Sequence, residues 1–372
     1  MRILRVAQKV YPDVPGGGPY HVHALSRDQA EMGHDVTVLT VTEDPEKPET
    51  ELRSGYKVKR KKSNVQLLGN HISIGIAEFL RNADRFDLIH AHSHLYFSTN
   101  LAALKNLTGD VPLAITNHGL YSQSAPEYVF DVYLKTLGRW TFNRSDCVFC
   151  YTDEDRNRLK EFGVASDIEV VPNGVDQERF RPNGPGSSYI DYDGEVALFV
   201  GRLVEGKNPD DAVKAIAGLN RSRNRDVKLY ICGKGPMRAD LEKLASELDQ
   251  EENIEFLGHV EYGKMPAIYR SADVLVLPSR AEGLPRTVLE AQASGTPVVS
   301  SDLEHISGVV EMAGETVEVG DIKGYFDVLS YVLDQGFDSM KNDEFSKVFD
   351  EKYSWSQTVE ETTKRLEETV AR

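Results

Sequence analysis

The sequence predicts an α/β fold, with two Rossmann-like, doubly wound domains facing across a cleft. Three observations predict it. Short β-rich runs alternate with amphipathic helical stretches along almost the whole chain, the pattern of parallel sheets covered by helices. Each half separately shows a strand, a Gly-containing loop and a helix in succession, the arrangement that binds ligands at the carboxyl ends of its strands. At 372 residues the chain exceeds the size at which a single core stops growing.

In chain order, strands are expected at residues 3–7, 36–40, 88–90, 113–116 and 147–150, with helices such as 21–32 between them. The second half has strands at 196–200, 228–232, 274–277 and 297–300. Between the halves, Val170-Val171-Pro172-Asn173-Gly174-Val175-Asp176 and Phe180-Arg181-Pro182-Asn183-Gly184-Pro185-Gly186 read as an ordered turn followed by a linker. The expected organisation is a first domain 1–176, a second domain 177–352 and a closing segment 353–372. In that last segment Thr358, Thr362 and Arg365 lie among apolar Val359, Leu366 and Val370, which suggests a surface helix.

Composition narrows the function. Acidic residues outnumber basic ones 59 to 43, for a net charge of −16, so a nucleic-acid polyanion would be repelled. The run Met1-Arg2-Ile3-Leu4-Arg5-Val6 begins as a strand without a long apolar core, and no stretch reaches the ~18 apolar residues of a membrane span. A cytoplasmic protein is expected, at most peripheral on the inner face of the membrane. The run Lys57-Val58-Lys59-Arg60-Lys61-Lys62 reads as a solvated edge strand, or else as a contact with anionic lipid. Cys147 and Cys150, three apart on a strand, point to opposite faces and read as small buried apolar residues.

The strongest constellation is Ser279-Arg280-Ala281-Glu282-Gly283-Leu284-Pro285-Arg286-Thr287-Val288-Leu289-Glu290 after an apolar strand. A strand, a Gly-containing turn and a helix opening on Pro285 make an anion site, because free N–H groups and the positive dipole end point outward. Pro285 has no N–H, so Leu284, Arg286 and Thr287 would supply the donors for a diphosphate. Carboxylates repel phosphate, so Glu282 and Glu290 are expected to accept from hydroxyls: Glu282 from the transferred sugar, Glu290 from the ribose. The plainer reading is a capped helix with a solvated Glu further along. The second constellation is Gly201-Arg202-Leu203-Val204-Glu205-Gly206-Lys207, also directly after a strand. Gly201 permits a tight turn, and Arg202 and Lys207 at the carboxyl edge could neutralise two phosphates.

Together with Gly233-Lys234-Gly235-Pro236, Gly16-Gly17-Gly18, Met32-Gly33-His34-Asp35-Val36 and Thr116-Asn117-His118-Gly119, these runs resemble glycosyltransferase family 4, the retaining GT-B enzymes of glycosyl transferases group 1. The resemblance spans nearly the whole chain. It implies that Arg202 and Lys207 bind the diphosphate, Glu290 the ribose and Glu282 the donor sugar. It also implies that Gly16, Gly17 and Gly18 close over the phosphates, that His118 faces the donor sugar, and that Gly233 and Gly235 lie near the base. The last helix is implied to return to the first domain. Leu284-Pro285-Arg286 departs from the Phe-Gly pair common in the family, which alters the wall beside the sugar. The expected catalytic set is His118, Glu282, Arg202 and Lys207. No metal and no cofactor are expected, the nucleotide-diphosphate sugar being a co-substrate and a glycan or lipid-linked molecule the acceptor. Asp153-Glu154-Asp155 opens a helix, where acids serve the dipole.

His90, His92 and His94 alternate at a strand end and are expected to line the cleft near the acceptor, rather than to hold a metal. His21 and His23, two apart on a helix, do not share a face. The rival readings are a nucleotide-sugar epimerase of similar fold and a non-catalytic sugar-nucleotide binder. A dinucleotide oxidoreductase is disfavoured because the glycine loop lacks the G-x-G-x-x-G spacing.

Overall fold

The computed structural model describes residues 1–67, 69–120, 127–223, 225–335 and 343–372. They divide into two compact units, the first made of 1–120, 127–172 and 356–372, the second of 173–355.

Unit 1 contains β1 (Arg2–Val6), β2 (Asp35–Thr42), β3 (Thr50–Arg53), β4 (Tyr56–Lys62), β5 (Val65–Leu67), β6 (Asn70–Ile72), β7 (Leu88–His92), β8 (Leu113–Thr116), β9 (Cys147–Cys150) and β10 (Asp167–Val170). Eight of these form one sheet in the order β10-β9-β8-β7-β1-β2-β4-β3, parallel but for the antiparallel β3–β4 pair, while β5 and β6 form a separate hairpin. Both faces of the central strands are covered: Ile3, Leu4, Val36, Val38, Leu88 and Ile89 are all buried. That coverage explains why the strands read as continuous apolar runs instead of alternating. Strand order reverses between β1 and β7, since the chain adds β2 on one side of β1 and later β7 on the other.

Unit 2 is a parallel sheet of β11 (Glu195–Val200), β12 (Val227–Cys232), β13 (Ile254–Gly258), β14 (Val274–Leu277), β15 (Val298–Ser301) and β16 (Gly314–Val317). Its order is β13-β12-β11-β14-β15-β16, with the reversal between β11 and β14. Phe199, Ile216, Leu229, Val276, Tyr325 and Leu329 pack in one core. The chain enters and leaves this unit side by side, because Val175 bridges Ser354 and its N–H donates to the Tyr353 carbonyl at 2.8 Å.

Several expectations change. The basic run is β4, hydrogen-bonded to β2 on one side and β3 on the other, so it is not an edge strand. Arg60 is buried and bonded to Asp13 and Glu51, Lys57 pairs with Asp35, and Lys61 with Glu49. The first long helix spans Gly17–Glu31 and so starts four residues before position 21; Pro19 falls in its first turn, where a missing N–H costs nothing. The last helix, Trp355–Ala371, is not a polar surface element: Thr358 and Thr362 are buried together with Val359 and Leu366. Thr358 donates to the Pro172 carbonyl at 2.9 Å and Thr363 accepts from Gln29 at 2.8 Å. Cys147 and Cys150 are buried and free, and burial pushes the Cys147 thiol up to about 12. Among the described residues no helix is long and apolar enough to cross a membrane.

Candidate functional site

In a doubly wound sheet the crevice outside the carboxyl ends of the strands, where strand order reverses, is the natural ligand site. In unit 2 that point is flanked by the loops after β11 and β14, which hold the two constellations singled out above. Arg202 is exposed just past β11, and Lys207 closes a short 3-10 turn, Glu205–Lys207. Asn208 follows at φ 44°, a left-handed conformation that Asn tolerates, and the chain then turns into the helix Pro209–Arg223. The two loops are stitched together, since the Arg280 N–H donates to the Gly206 carbonyl at 3.0 Å. The Lys207 ammonium donates to the Glu282 carboxylate; the side chains are 13% and 5% exposed. His305 holds the other end of Glu282 by donating from Nε2 to its carbonyl at 2.7 Å.

The helix after β14 spans Arg286–Ala293 with Pro285 as its cap, so it begins one residue later than expected and Arg286 and Thr287 form its first turn. The Val288 N–H already bonds the Pro285 carbonyl at 3.2 Å. Glu290, a turn further on, is buried. It accepts from the Tyr262 hydroxyl at 2.7 Å and the Tyr269 hydroxyl at 3.0 Å, with the Arg286 guanidinium at 3.4 Å. Burial raises its carboxyl above the ordinary range while Arg286 and the two tyrosines pull it back. The Arg286 side chain turns away from the helix N-terminus to donate to the Gly174 carbonyl at 3.1 Å and the Tyr262 oxygen at 3.0 Å, and its guanidinium lies over Trp355 at 5.4 Å. Around this point Asn208 Nδ2, Ser279 Oγ and Thr287 Oγ1 are buried with no hydrogen-bond partner among the described residues. Such groups mark a place built for polar contact.

The glycines after β12 have a steric reason. A Cβ on Gly233 would come 1.8 Å from the Gly201 carbonyl oxygen, and one on Gly235 2.2 Å from that of Leu203. The two loops run backbone against backbone, with Leu203 N–H donating to the Lys234 carbonyl at 3.0 Å. Here the glycine the geometry demands is Gly233; Gly201 has ordinary contacts. Leu284 is buried beside the turn.

The reversal in unit 1 carries a different chemistry. Gly16 has φ 133°, open to glycine alone, and caps the helix that Gly17 begins. Gly18 borders a cavity also lined by Lys9, His92, Ser93, Tyr96 and His118. His118 uses both ring nitrogens, Nε2 toward His92 Nδ1 at 3.0 Å and Nδ1 toward the Tyr151 hydroxyl at 2.7 Å. His21 meets it edge-on at 5.4 Å. Burial lowers the His118 pKa to about 4, so the ring is neutral near pH 7. His90 and His92 sit on one face with centroids 4.5 Å apart, but Ser93 at φ 65° turns the chain and sends His94 elsewhere, against Phe142 at 4.8 Å. The three histidines therefore do not share one face. His23 turns from His21 to bond the Tyr56 hydroxyl at 2.8 Å.

Sequence reading gave no role to Tyr151, Tyr262, Tyr269, Asn208 and Ser279, although Ser279 opens the strongest constellation. Tyr151 and Ser279 each lie within two residues of a strand's carboxyl end, which was a usable signal; Tyr262 and Tyr269 precede β14 and carried none.

Residues 15–179 match the model for Glycosyltransferase Family 4, and residues 182–347 that for Glycosyl transferases group 1. An uncharacterized glycosyltransferase of Methanocaldococcus jannaschii is 28% identical over 97% of each chain. Among solved structures, sucrose-phosphate synthase from Thermosynechococcus elongatus superposes with a TM-score of 0.83 at 18% identity, covering 100% of both chains. The Anabaena protein HepE in complex with UDP-glucose gives 0.79 at 16% identity, over 99% of this chain and 100% of that one. The two family models together span nearly all of the sequence and the fold matches from end to end: the chain belongs to the family 4, group 1 glycosyltransferases and has their GT-B fold.

Proposed function

We propose that the enzyme moves a hexose from a nucleotide-diphosphate sugar to a lipid-linked or other glycan acceptor, with retention at the anomeric carbon and without a metal or other cofactor. The observation that carries this reading is the meeting of Lys207 with Glu282 beside the N-terminus of helix Arg286–Ala293, at the carboxyl ends of adjacent strands. A diphosphate there would meet an ammonium and the N–H donors of a helix start, which would do the work of a divalent ion. A sugar attached to it would meet a carboxylate. The fold's likeness to HepE, whose complex contains UDP-glucose, supports a nucleotide-sugar donor.

In this reading Arg202 and Lys207 neutralise the leaving diphosphate and the N–H groups of Leu284, Arg286 and Thr287 receive its oxygens. Glu282 accepts from the sugar and Glu290 from the ribose, in place of one of its tyrosines. Gly16, Gly17 and Gly18 close over the phosphates, His118 faces the sugar, and Gly233 and Gly235 border the base. The bond from the anomeric carbon to the phosphate oxygen breaks with its electron pair going to that oxygen. The acceptor hydroxyl then bonds to the same face of the carbon and gives its proton to the leaving phosphate. The basic strand β4 adds no support for a membrane-bound acceptor, because Lys57, Arg60 and Lys61 pair with carboxylates within unit 1. The relatives reported above give the epimerase reading none either.

Product NMR tests the proposal: with a donor of known anomeric configuration, retention and undiminished transfer in excess chelator are expected. Inverted product, or activity lost to chelator and restored by magnesium or manganese, would overturn the mechanism.

A further inference from the structure

Lys207 already holds an anion of the protein's own. Its ammonium and the Glu282 carboxylate form a pair shielded from water, with side chains 13% and 5% exposed. The backbones that carry the pair are held while its side chains are left to move: the Arg280 N–H to Gly206 carbonyl bond joins their loops, and His305 pins the Glu282 carbonyl. A phosphate oxygen reaching for the same ammonium would meet a second negative charge, and two anions crowded on one cation repel. If Lys207 is to hold the diphosphate, the carboxylate must leave it.

We infer that Glu282 is a specificity-determining residue that takes the place of the distal phosphate on Lys207, so that a nucleoside diphosphate enters by exchange while a monophosphate leaves the pair intact. This rests on the donor-site reading above. The distal phosphate is the relevant one because it carries the sugar, and Glu282 is the residue read as meeting that sugar. Exchange has a second effect. Once displaced, the carboxylate is released toward the space where a sugar hydroxyl would lie, so sugar recognition follows diphosphate binding and does not precede it. The unpartnered Asn208 Nδ2 and Ser279 Oγ, on the residue after Lys207 and in the loop of Glu282, are polar groups that a rearranged pair could engage.

Calorimetric titration of the full chain with UDP, ADP and GDP and their monophosphates tests this. Glu282→Gln should bind its preferred diphosphate about tenfold more tightly than the wild type, the scale of one charge-assisted hydrogen bond no longer in competition. Its affinity for the monophosphate should stay within about twofold, and Glu282→Asp should fall between, because a shorter side chain weakens the pair without removing the charge. In a Lys207→Met background the gain should vanish. Equal tightening of mono- and diphosphate would show plain charge repulsion and overturn the exchange, as would unchanged or weaker diphosphate binding in Glu282→Gln or a gain that survives Lys207→Met. A separate outcome bears on the reading beneath: if wild type and Lys207→Met bind every diphosphate alike, the donor site itself is misplaced. Melting curves of each variant confirm that the folded chain is being titrated.

Discussion

The two units solve one topological problem with opposite chemistry. Each has a sheet parallel at its centre whose order reverses at its first strand, and each gathers polar side chains at that reversal. In unit 2 the gathering is ionic, with Lys207 on Glu282 and Arg286 on Glu290. In unit 1 it is neutral and aromatic: His118 between His92 and Tyr151, with His21 against its edge. The difference teaches that the sheet supplies only a place. A site meant for a leaving group of growing negative charge needs fixed cations. One meant to hold a neutral sugar in orientation is better served by uncharged rings, which do not bind water as strongly as ions do.

The sharpest way to break the comparison is Lys207→Ala. Turnover should fall about a hundredfold or more, the cost of losing a positioned electrostatic stabiliser, with a smaller change in donor affinity. Steady-state kinetics beside direct binding checks this, and a variant altered only in affinity would make the residue a mere contact. A smaller effect belongs to unit 1. Tyr151→Phe removes the hydroxyl on His118 Nδ1 and should lower turnover about tenfold while leaving nucleotide affinity unchanged, on the scale of one hydrogen bond. Weakened nucleotide binding instead would erase the division of labour between the units.

Acidity sharpens the contrast further. His90 and His92 have pKa values well below their ordinary value and His94 has one near 3, in each case through burial, and His118 follows at about 4. In the unfolded chain they take up protons as pH falls below about 6.5, whereas in the folded unit they do not until much lower pH, so unit 1 loses stability across that window. Glu290 is shifted the other way: its raised pKa lets folded unit 2 bind a proton before the unfolded chain does, which favours the fold as pH falls. Thermal melting should therefore drop by at least about 5 °C between pH 7.5 and 5.5. Hydrogen exchange should place the loss in unit 1 first, and a uniform loss would contradict the assignment.

Much of this was legible because it is local. The turn from Glu282 to Glu290 can be read from spacing alone, and so can the strands at 113–116, 147–150 and 274–277, the last two unbroken apolar runs and the first apolar up to Thr116. What escaped is what the sheet order creates. Glu282 reaches Lys207 across 75 positions only because β14 lies beside β11, and Tyr151 reaches His118 because β9 lies beside β8. Strands β3, β5 and β6 escaped for another reason: at three or four residues, with polar side chains and no fully buried position, they carry no period to detect. Thr358 misled because a hydroxyl can be buried when a carbonyl is within reach, here that of Pro172, and Thr363 uses the Val359 carbonyl of its own helix in the same way.

The paired crossing at Val175 and Ser354 bears on how the protein is made. Unit 1 is made of residues 1–120, 127–172 and 356–372, and Leu366 from that last segment is fully buried in one core with Leu88, Ala114 and Phe149. Synthesis runs from the N-terminus, so the first unit to emerge must wait, lacking one wall of its core, while the whole of the second is translated and can fold as a unit of its own. A chain cut short by its final helix would leave that wall open and expose apolar surface. Completion of the first unit is thus tied to the synthesis of residues 356–372.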